Sequence, residues 1–228
     1  MNVAIVVAAG KGTRLGGARP KQFLELRGVP VIIHTLRQFE RCQEINEVIP
    51  VLPAEDTAGF ESLTRQFELK KASRAVAGGA TRAQSVRNGL NAIDDADIVA
   101  VHDGVRPFVT PAEIDQVVAA AKENGAAVLT SPVADTIKRV RDGRIIETVS
   151  RAELRRALTP QCFRFAILKR AYEPLDELES SGPEITDDSL LVERLGVAVV
   201  TVEGSGRNIK ITDAADLAFA DLLLTTDY

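Results

Sequence analysis

Residues 3–21, VAIVVAAGKGTRLGGARPK, join a run of β-branched and small apolar residues to a loop rich in glycine and cations. The run shows no polar alternation, which marks a strand covered on both faces, as in parallel sheets. Glycines just past a strand let backbone N–H groups turn inward around an anion, so a loop of this kind holds phosphate. Spacing decides which loop it is. The dinucleotide fingerprint needs G-x-G-x-x-G and an acid about twenty positions on. Here Gly10, Gly12 and Gly16 space as G-x-G-x-x-x-G, and no acid ends a second strand at that distance. The phosphate loop of P-loop NTPases needs G-x-x-x-x-G-K-[ST]. In this chain Lys11 precedes Gly12, and Ile5 stands where the first glycine belongs. Both templates fail.

Outward from this loop, short β-branched runs alternate with helical patterns. Val3–Ala8, Glu47–Leu52, Asp97–His102, Ala126–Thr130 and Val197–Val202 are expected as buried strands. Val31–Cys42, Glu55–Glu68, Ala83–Ile93, Glu113–Asn124 and Asp213–Leu224 carry apolar residues at helical spacing. Thr110-Pro111-Ala112-Glu113 sets Thr at the N-cap, Pro at N1 and Glu at N3, a capping box. Strand–helix alternation of this sort implies an α/β fold with a mostly parallel twisted sheet between helices. Asp135–Val149 breaks the pattern with two β-prone runs around Asp142-Gly143, a strong hairpin signal. Seven of its 15 residues are charged, too many for a core. It is therefore either a β-arm leaving the body at about residues 132–157 or a solvated edge hairpin. An arm with exposed backbone edges is also a device for dimerisation.

The chain has 228 residues, 45% of them hydrophobic, which suits one domain burying roughly 70–75% of its unfolded surface. A formal charge of −4 gives nothing that attracts nucleic acid or an anionic membrane globally, so anion sites must come from local clusters of cations. Cys42 and Cys162 lack metal-ligand spacing and are expected as free buried thiols in a reducing cytoplasm. The N-terminus has no basic n-region ahead of its apolar run, and no stretch approaches a membrane span. No nucleic-acid or membrane partner is expected.

The strand ending in Ala8-Ala9-Gly10-x-Gly12-x-Arg14, followed by Pro20-Lys21, is similar to the signature of nucleotidyltransferases acting on nucleoside triphosphates. Small residues at Ala8 and Ala9 let main chain approach a nucleobase. Arg14 offers a bidentate fork and Lys21 a point charge to phosphates. Further stretches follow in order: Gly78-Gly79-Ala80-Thr81-Arg82-Ala83-Gln84-Ser85-Val86, Val101-His102-Asp103-Gly104-Val105-Arg106-Pro107, Asp135-Thr136-Ile137-Lys138, Thr159-Pro160-Gln161, Ile185-Thr186-Asp187-Asp188 and Asn208-Ile209-Lys210-Ile211-Thr212. Together they closely resemble the 2-C-methyl-D-erythritol 4-phosphate cytidylyltransferase family, from Val3 to the last helix.

The resemblance implies a GT-A-like, Rossmann-related three-layer fold with a protruding β-arm, CTP and Mg²⁺ as co-substrates, and a homodimer interlocked through the arms. By the same resemblance, Arg14 and Lys21 stabilise the transition state on the triphosphate. Arg151 and Lys210 position methylerythritol phosphate. Ala8, Ala9, Gly10, Lys11, Gly12, Gly79, Ala80 and Ser85 hold the nucleotide, with Gly104 near the ribose. Asp103 sits beside sugar hydroxyls and the metal, which is held mostly by the CTP phosphates. Thr136, Thr159 and Thr186 are substrate-side positions, Thr136 and Arg151 reaching across from the partner's arm. Arg106 is either a substrate contact or a clamp on Asp103. Asp187 and Asp188 either cap a short helix near Ser189 or touch ligand. His102 closes a strand end, His34 packs in a helix, and Arg155 and Arg156 are surface charges.

The chain departs from the family pattern in three places. The family often has H-D-A-A-R-P where this chain has His102–Pro107, an acid where Ala80 stands, and Asp where Ser150 precedes Arg151. No cyclodiphosphate synthase domain, of the kind fused to some relatives, is expected to accompany residues 1–228. Two alternatives to the family's reaction stay open on these residues: a cytidylyltransferase acting on ribitol 5-phosphate or a similar pentitol phosphate, and a regulatory protein that binds nucleotide without turnover.

Overall fold

The computed structural model describes residues 1–10, 20–72, 74–182 and 185–225. Strand β1 (Asn2–Val7) is followed by a small hairpin, β2 (Glu25–Leu26) and β3 (Val29–Pro30), then α1 (Val31–Arg41), β4 (Glu47–Leu52) and α2 (Ala54–Gln66). Next come β5 (Val76–Ala77), α3 (Arg82–Asn91), β6 (Ile98–Asp103), α4 (Pro111–Asn124) and β7 (Ala126–Pro132). The chain continues through β8 (Ile137–Arg141), β9 (Arg144–Val149), β10 (Arg155–Arg164), α5 (Phe165–Tyr172), α6 (Leu175–Ser181), α7 (Asp188–Glu193), β11 (Val200–Glu203) and α8 (Ala214–Leu223).

Seven strands form one sheet in the order β11-β7-β10-β6-β1-β4-β5. All its pairings are parallel except those of β10, which runs antiparallel between β6 and β7. Alternate residues feed the two faces. Ala4, Val6, Ile98 and Ala100 pack against α1 and α4 through Ile32, Leu36, Phe39, Ile114 and Val117. Val3, Ile5, Val99 and Val101 pack against α3, α5 and α7 through Val86, Leu90, Leu168 and Leu191. The expected three-layer α/β architecture is present.

The capping box of α4 forms as its sequence dictates. Thr110 Oγ1 accepts from Glu113 N–H at 3.2 Å, while Glu113 Oε2 accepts from Thr110 N–H at 2.8 Å. The hairpin turns at Asp142 (φ 48°) and Gly143 (φ 73°), the positive pair that a two-residue type I′ turn requires. The sequence reading did not foresee the two-residue strands β2, β3 and β5, nor the longer elements β10, α5 and α6. The β10 run begins with Arg155 and Arg156 and contains Pro160, which argues against a central strand. A register shift between Ala157 and Gln161 takes Pro160 out of the ladder to β7. The last strand is also shorter than expected, starting at Val200 rather than Val197.

The strand order sets the location of the site. From β1 the chain passes through α1 to β4 on one side, and later returns through α3 to β6 on the other. The crevice beyond the C-terminal ends of β1 and β6 is therefore a topological switch point, where open α/β sheets bind ligands.

Candidate functional site

Two cavities open at this crevice. One, of about 310 Å³, is lined by Ala8, Ala9 and Gly10 after β1, Lys21 and Gln22, the Gly79–Arg82 turn, Ser85, Asp103, Val105 and Lys210. The other, of about 190 Å³, is lined by Arg106, the Ala157–Thr159 stretch, Gln161, Thr186 and Asp187. Arg82, Asp103 and Lys210 line both.

Close packing shapes the first cavity. Gly104 N–H donates to Val7 O at 2.8 Å, and a Cβ on Gly104 would lie 2.8 Å from the Ala8 methyl. A Cβ on Gly78 would lie 2.2 Å from the Ala9 methyl, so glycine is required there. Ala8 and Ala9 are thus small because two other backbone segments press against them. The Gly79–Arg82 turn is held from within. Ser85 Oγ donates to Thr81 O at 2.8 Å and accepts from Gly79 N–H at 3.1 Å; Ala80 N–H donates to Gln84 Oε1 at 3.0 Å. These N–H groups, expected to face nucleotide, are engaged inside their own loop. Thr81 caps α3 and donates to Glu179 of α6 at 2.5 Å.

Asp103 ends β6 and is nearly buried, yet three cations meet it. Arg82 Nε donates to Oδ1 at 3.1 Å; Arg106 Nε and Lys210 Nζ approach Oδ2 at 3.2 and 3.0 Å. Burial opposes its charge, but Arg82, Lys210 and Arg106 hold the carboxyl far below the usual carboxylate range. Arg106 is a clamp on Asp103, and it also donates to Asn208 O at 2.9 Å. Lys210 is the most open of the three cations, with 38% of its side chain exposed.

Behind Asp103, its N–H donates to Thr159 Oγ1 at 3.1 Å, and that hydroxyl lies 3.0 Å from His102 Nδ1. His102 Nε2 lies 3.2 Å from Arg106 O, a pure acceptor, so Nε2 carries the proton and Nδ1 accepts from Thr159. His102 is fully buried with its ring against Phe39 at 5.0 Å, and burial lowers its pKa to about 4. It is a neutral structural residue, as expected. Thr159 lines the second cavity, but its proton is committed to His102. His34 Nε2 meets Leu26 O at 3.0 Å, a packing role also as expected.

The other expected positions divide into three groups. Thr186 lines the second cavity, and Asp187 caps α7 by accepting from Leu190 N–H at 3.1 Å. Thr136 and Arg151 line neither cavity; both are exposed, and the Arg151 guanidinium donates to Ala134 O at the base of the hairpin. Lys11, Gly12 and Arg14 lie outside the described residues.

Sequence reading assigned no role to Arg82, Gln22 or Gln161; for Asp188 it offered a helix cap or a ligand contact, whereas Asp187 is the cap and Asp188 pairs with Arg82. Arg82 was detectable: a cation in the first turn of a helix opposes the helix dipole and needs acidic partners. Here they are Asp103 and the fully buried Asp188, the latter at 2.9 Å. Gln22 gives no such signal, although its buried Nε2 has no hydrogen-bond partner among the described residues. Among the described residues no three His, Cys, Asp or Glu side chains gather as metal ligands, and no helix is long and apolar enough to cross a membrane.

Comparison with known proteins finds relatives along almost the whole chain. The family model described as 2-C-methyl-D-erythritol 4-phosphate cytidylyltransferase matches residues 2–226. The protein of that name from Bacillus velezensis is 45% identical over 226 residues, covering 99% of this chain and 96% of its own. That from Alkaliphilus metalliredigens is 43% identical, covering 96% and 91%. The crystal structure of 4-diphosphocytidyl-2C-methyl-D-erythritol synthase from Anaerococcus prevotii superposes with a TM-score of 0.84 at 31% identity, covering 99% and 96%.

Proposed function

This chain belongs to the 2-C-methyl-D-erythritol 4-phosphate cytidylyltransferase family, and we infer from its two cavities how its residues carry that reaction. It transfers the cytidylyl group of CTP to 2-C-methyl-D-erythritol 4-phosphate, giving 4-diphosphocytidyl-2-C-methyl-D-erythritol and pyrophosphate, in the non-mevalonate route to isoprenoids. The observation that carries the reading is the sharing of Arg82, Asp103 and Lys210 between adjacent cavities. One cation cluster can then neutralise two polyanions as they meet.

The chemistry asks for little else. A phosphate monoester has a second pKa near 6, so the attacking oxygen is ionised at neutral pH and no base is needed. That oxygen bonds to the α-phosphorus, the bond to the bridging oxygen breaks, and its electron pair leaves with pyrophosphate. The barrier is the approach of like charges, which positioned cations lower. In the proposed assignment Ala8, Ala9, Gly10, Gly79, Ala80, Ser85 and Gly104 take the nucleoside. Lys21, with Lys11, Gly12 and Arg14, takes the triphosphate, and Lys210, Arg106, Thr159 and Thr186 take the acceptor. Asp103 orients Lys210 and faces the sugar hydroxyls.

A magnesium ion held by protein carboxylates does not fit these residues, because both Asp103 oxygens already carry cationic partners. The proposal is Mg²⁺ borne by the CTP phosphates, whose hard oxygens suit it. No step above runs through it.

The arm completes the proposal. Thr136 and Arg151 acquire substrate roles in a homodimer whose arms, at about residues 132–157 of one nucleotidyltransferase unit, reach the partner's site. Exposed Val140, Ile145 and Ile146 on the hairpin support a covered surface there. Two free, buried cysteines suit the cytoplasm.

The test is pyrophosphate release with Mg²⁺ and CTP in the presence of methylerythritol phosphate, ribitol 5-phosphate or no acceptor. Release with methylerythritol phosphate is expected. Release with ribitol phosphate alone would move the assignment to a pentitol-phosphate enzyme, and no release with either would leave a nucleotide-binding protein.

A further inference from the structure

Arg82 is a two-ended contact. Its Nε donates to Asp103 Oδ1 at 3.1 Å, and its Nη2 donates to Asp188 Oδ2 at 2.9 Å. The Asp188 end is rigid: the Tyr172 hydroxyl donates to Oδ1 at 2.5 Å, and Asp188 N–H donates to Gln161 Oε1 at 3.0 Å. Asp188 is fully buried and lines neither cavity. Arg82 therefore ties a cavity-facing carboxylate to a fixed point behind the site.

The two Asp103 oxygens are not equivalent. Oδ1 is held by Arg82, whereas Oδ2 is shared by Arg106 and Lys210. Lys210 is the more exposed of that pair, at 38% against 11%. A buried carboxylate stripped of partners is costly, so it gives up a cation only if others remain. With Arg82 on one oxygen and Arg106 on the other, the Lys210 ammonium can turn to a phosphate. Without Arg82, Oδ1 would stand unpaired and Asp103 would retain Lys210.

We propose that Arg82 is a positioning residue for the transfer: anchored on Asp188, it occupies Asp103 Oδ1 so that Lys210 is released from Oδ2 to the substrates. The inference rests on the reaction assigned above. It differs from a direct substrate contact by Arg82 in one respect, since Asp188 must matter although it touches no substrate.

A double-mutant cycle tests it. Arg82→Gln, Arg82→Lys and Asp188→Asn are made alone and combined with Lys210→Gln, and kcat/KM for methylerythritol phosphate is measured. Arg82→Gln should lower it by about 10²-fold, the scale of a misplaced catalytic group. Arg82→Lys should recover part of that loss, because an ammonium keeps the charge but lacks the two-ended fork. Asp188→Asn should lower it in the same direction. In the Lys210→Gln background each further loss should shrink to within about twofold, as for residues acting through one another. Full additivity with Lys210→Gln overturns the proposal. So does wild-type kcat/KM in Asp188→Asn. If Arg82→Gln does not fold, the Asp188→Asn cycle alone decides. Absence of turnover in the wild type overturns the assigned reaction as well; normal turnover with additive losses overturns this inference only.

Discussion

The Asp103 cluster and the β8–β9 hairpin are both dense in charge, and they use it in opposite ways. Around Asp103 three cations converge at 3.0–3.2 Å on a carboxylate that is 6% exposed. On the hairpin, Arg139 pairs with Glu147 at 3.0 Å, but the two side chains are 64% and 47% exposed. Water screens the second pair and leaves it worth about 0–1 kcal/mol. The first cluster is withdrawn from water and shared between two cavities, so its charges can be passed from protein to substrate. The hairpin instead exposes its apolar residues, and Arg151 at its base lines neither cavity of its own chain. One region is assembled within the chain; the use proposed above for the other needs a second copy.

The sharpest break of this comparison is at the cavity. Lys21→Ala should lower kcat by roughly 10²–10³-fold, the cost of losing one preorganised charge contact. A steady-state assay within threefold of wild type would remove Lys21 from the triphosphate. The next test joins the two regions. Inactive Lys21→Ala and Arg151→Gln proteins, mixed after dissociation and reassociation, should regain roughly a quarter of wild-type activity. Half of the random dimers are mixed, and each of these has one intact site. No recovery would place Arg151 in its own chain's site or in none.

A smaller effect concerns stability. The folded chain refuses a proton at His102, with a pKa of about 4, which the unfolded chain accepts at the ordinary 6.5. Stability is therefore complete above pH 6.5 and falls as pH drops toward 4, by about 3 kcal/mol from this group. Denaturant titrations across that window should show the slope, and His102→Gln should flatten it. Smallest of all, Glu147→Ala should change unfolding stability by no more than about 0.5 kcal/mol, because its partner is solvated. A larger change would show that the hairpin charges are not merely a wet surface.

Much of this was legible in the residues themselves. The five expected helices and four of the five expected strands appear within a few residues of their positions, because uninterrupted β-branched runs and helical spacing are local signals. The capping box at Thr110 and the Asp142-Gly143 turn are likewise written in three or four neighbouring residues. Strand β10 was hidden because its arginines and Pro160 look unlike a central strand, and only its neighbours β6 and β7 make it one. At the site, Asp103 and the Ala8–Gly10 turn stood out by type and position, and Lys210 through the family resemblance. The pairing of Arg82 with Asp188 did not, since the two lie 106 positions apart.

The sequence alone therefore determined the α/β class, the family and the hairpin, all of which rest on near neighbours or on motif order. Tertiary structure decided which oxygen of Asp103 each cation takes, that Lys210 stands between two cavities, that His102 is neutral, and that Arg151 lines neither cavity. Those facts depend on burial and on contacts between distant segments, and no spacing along the chain encodes either.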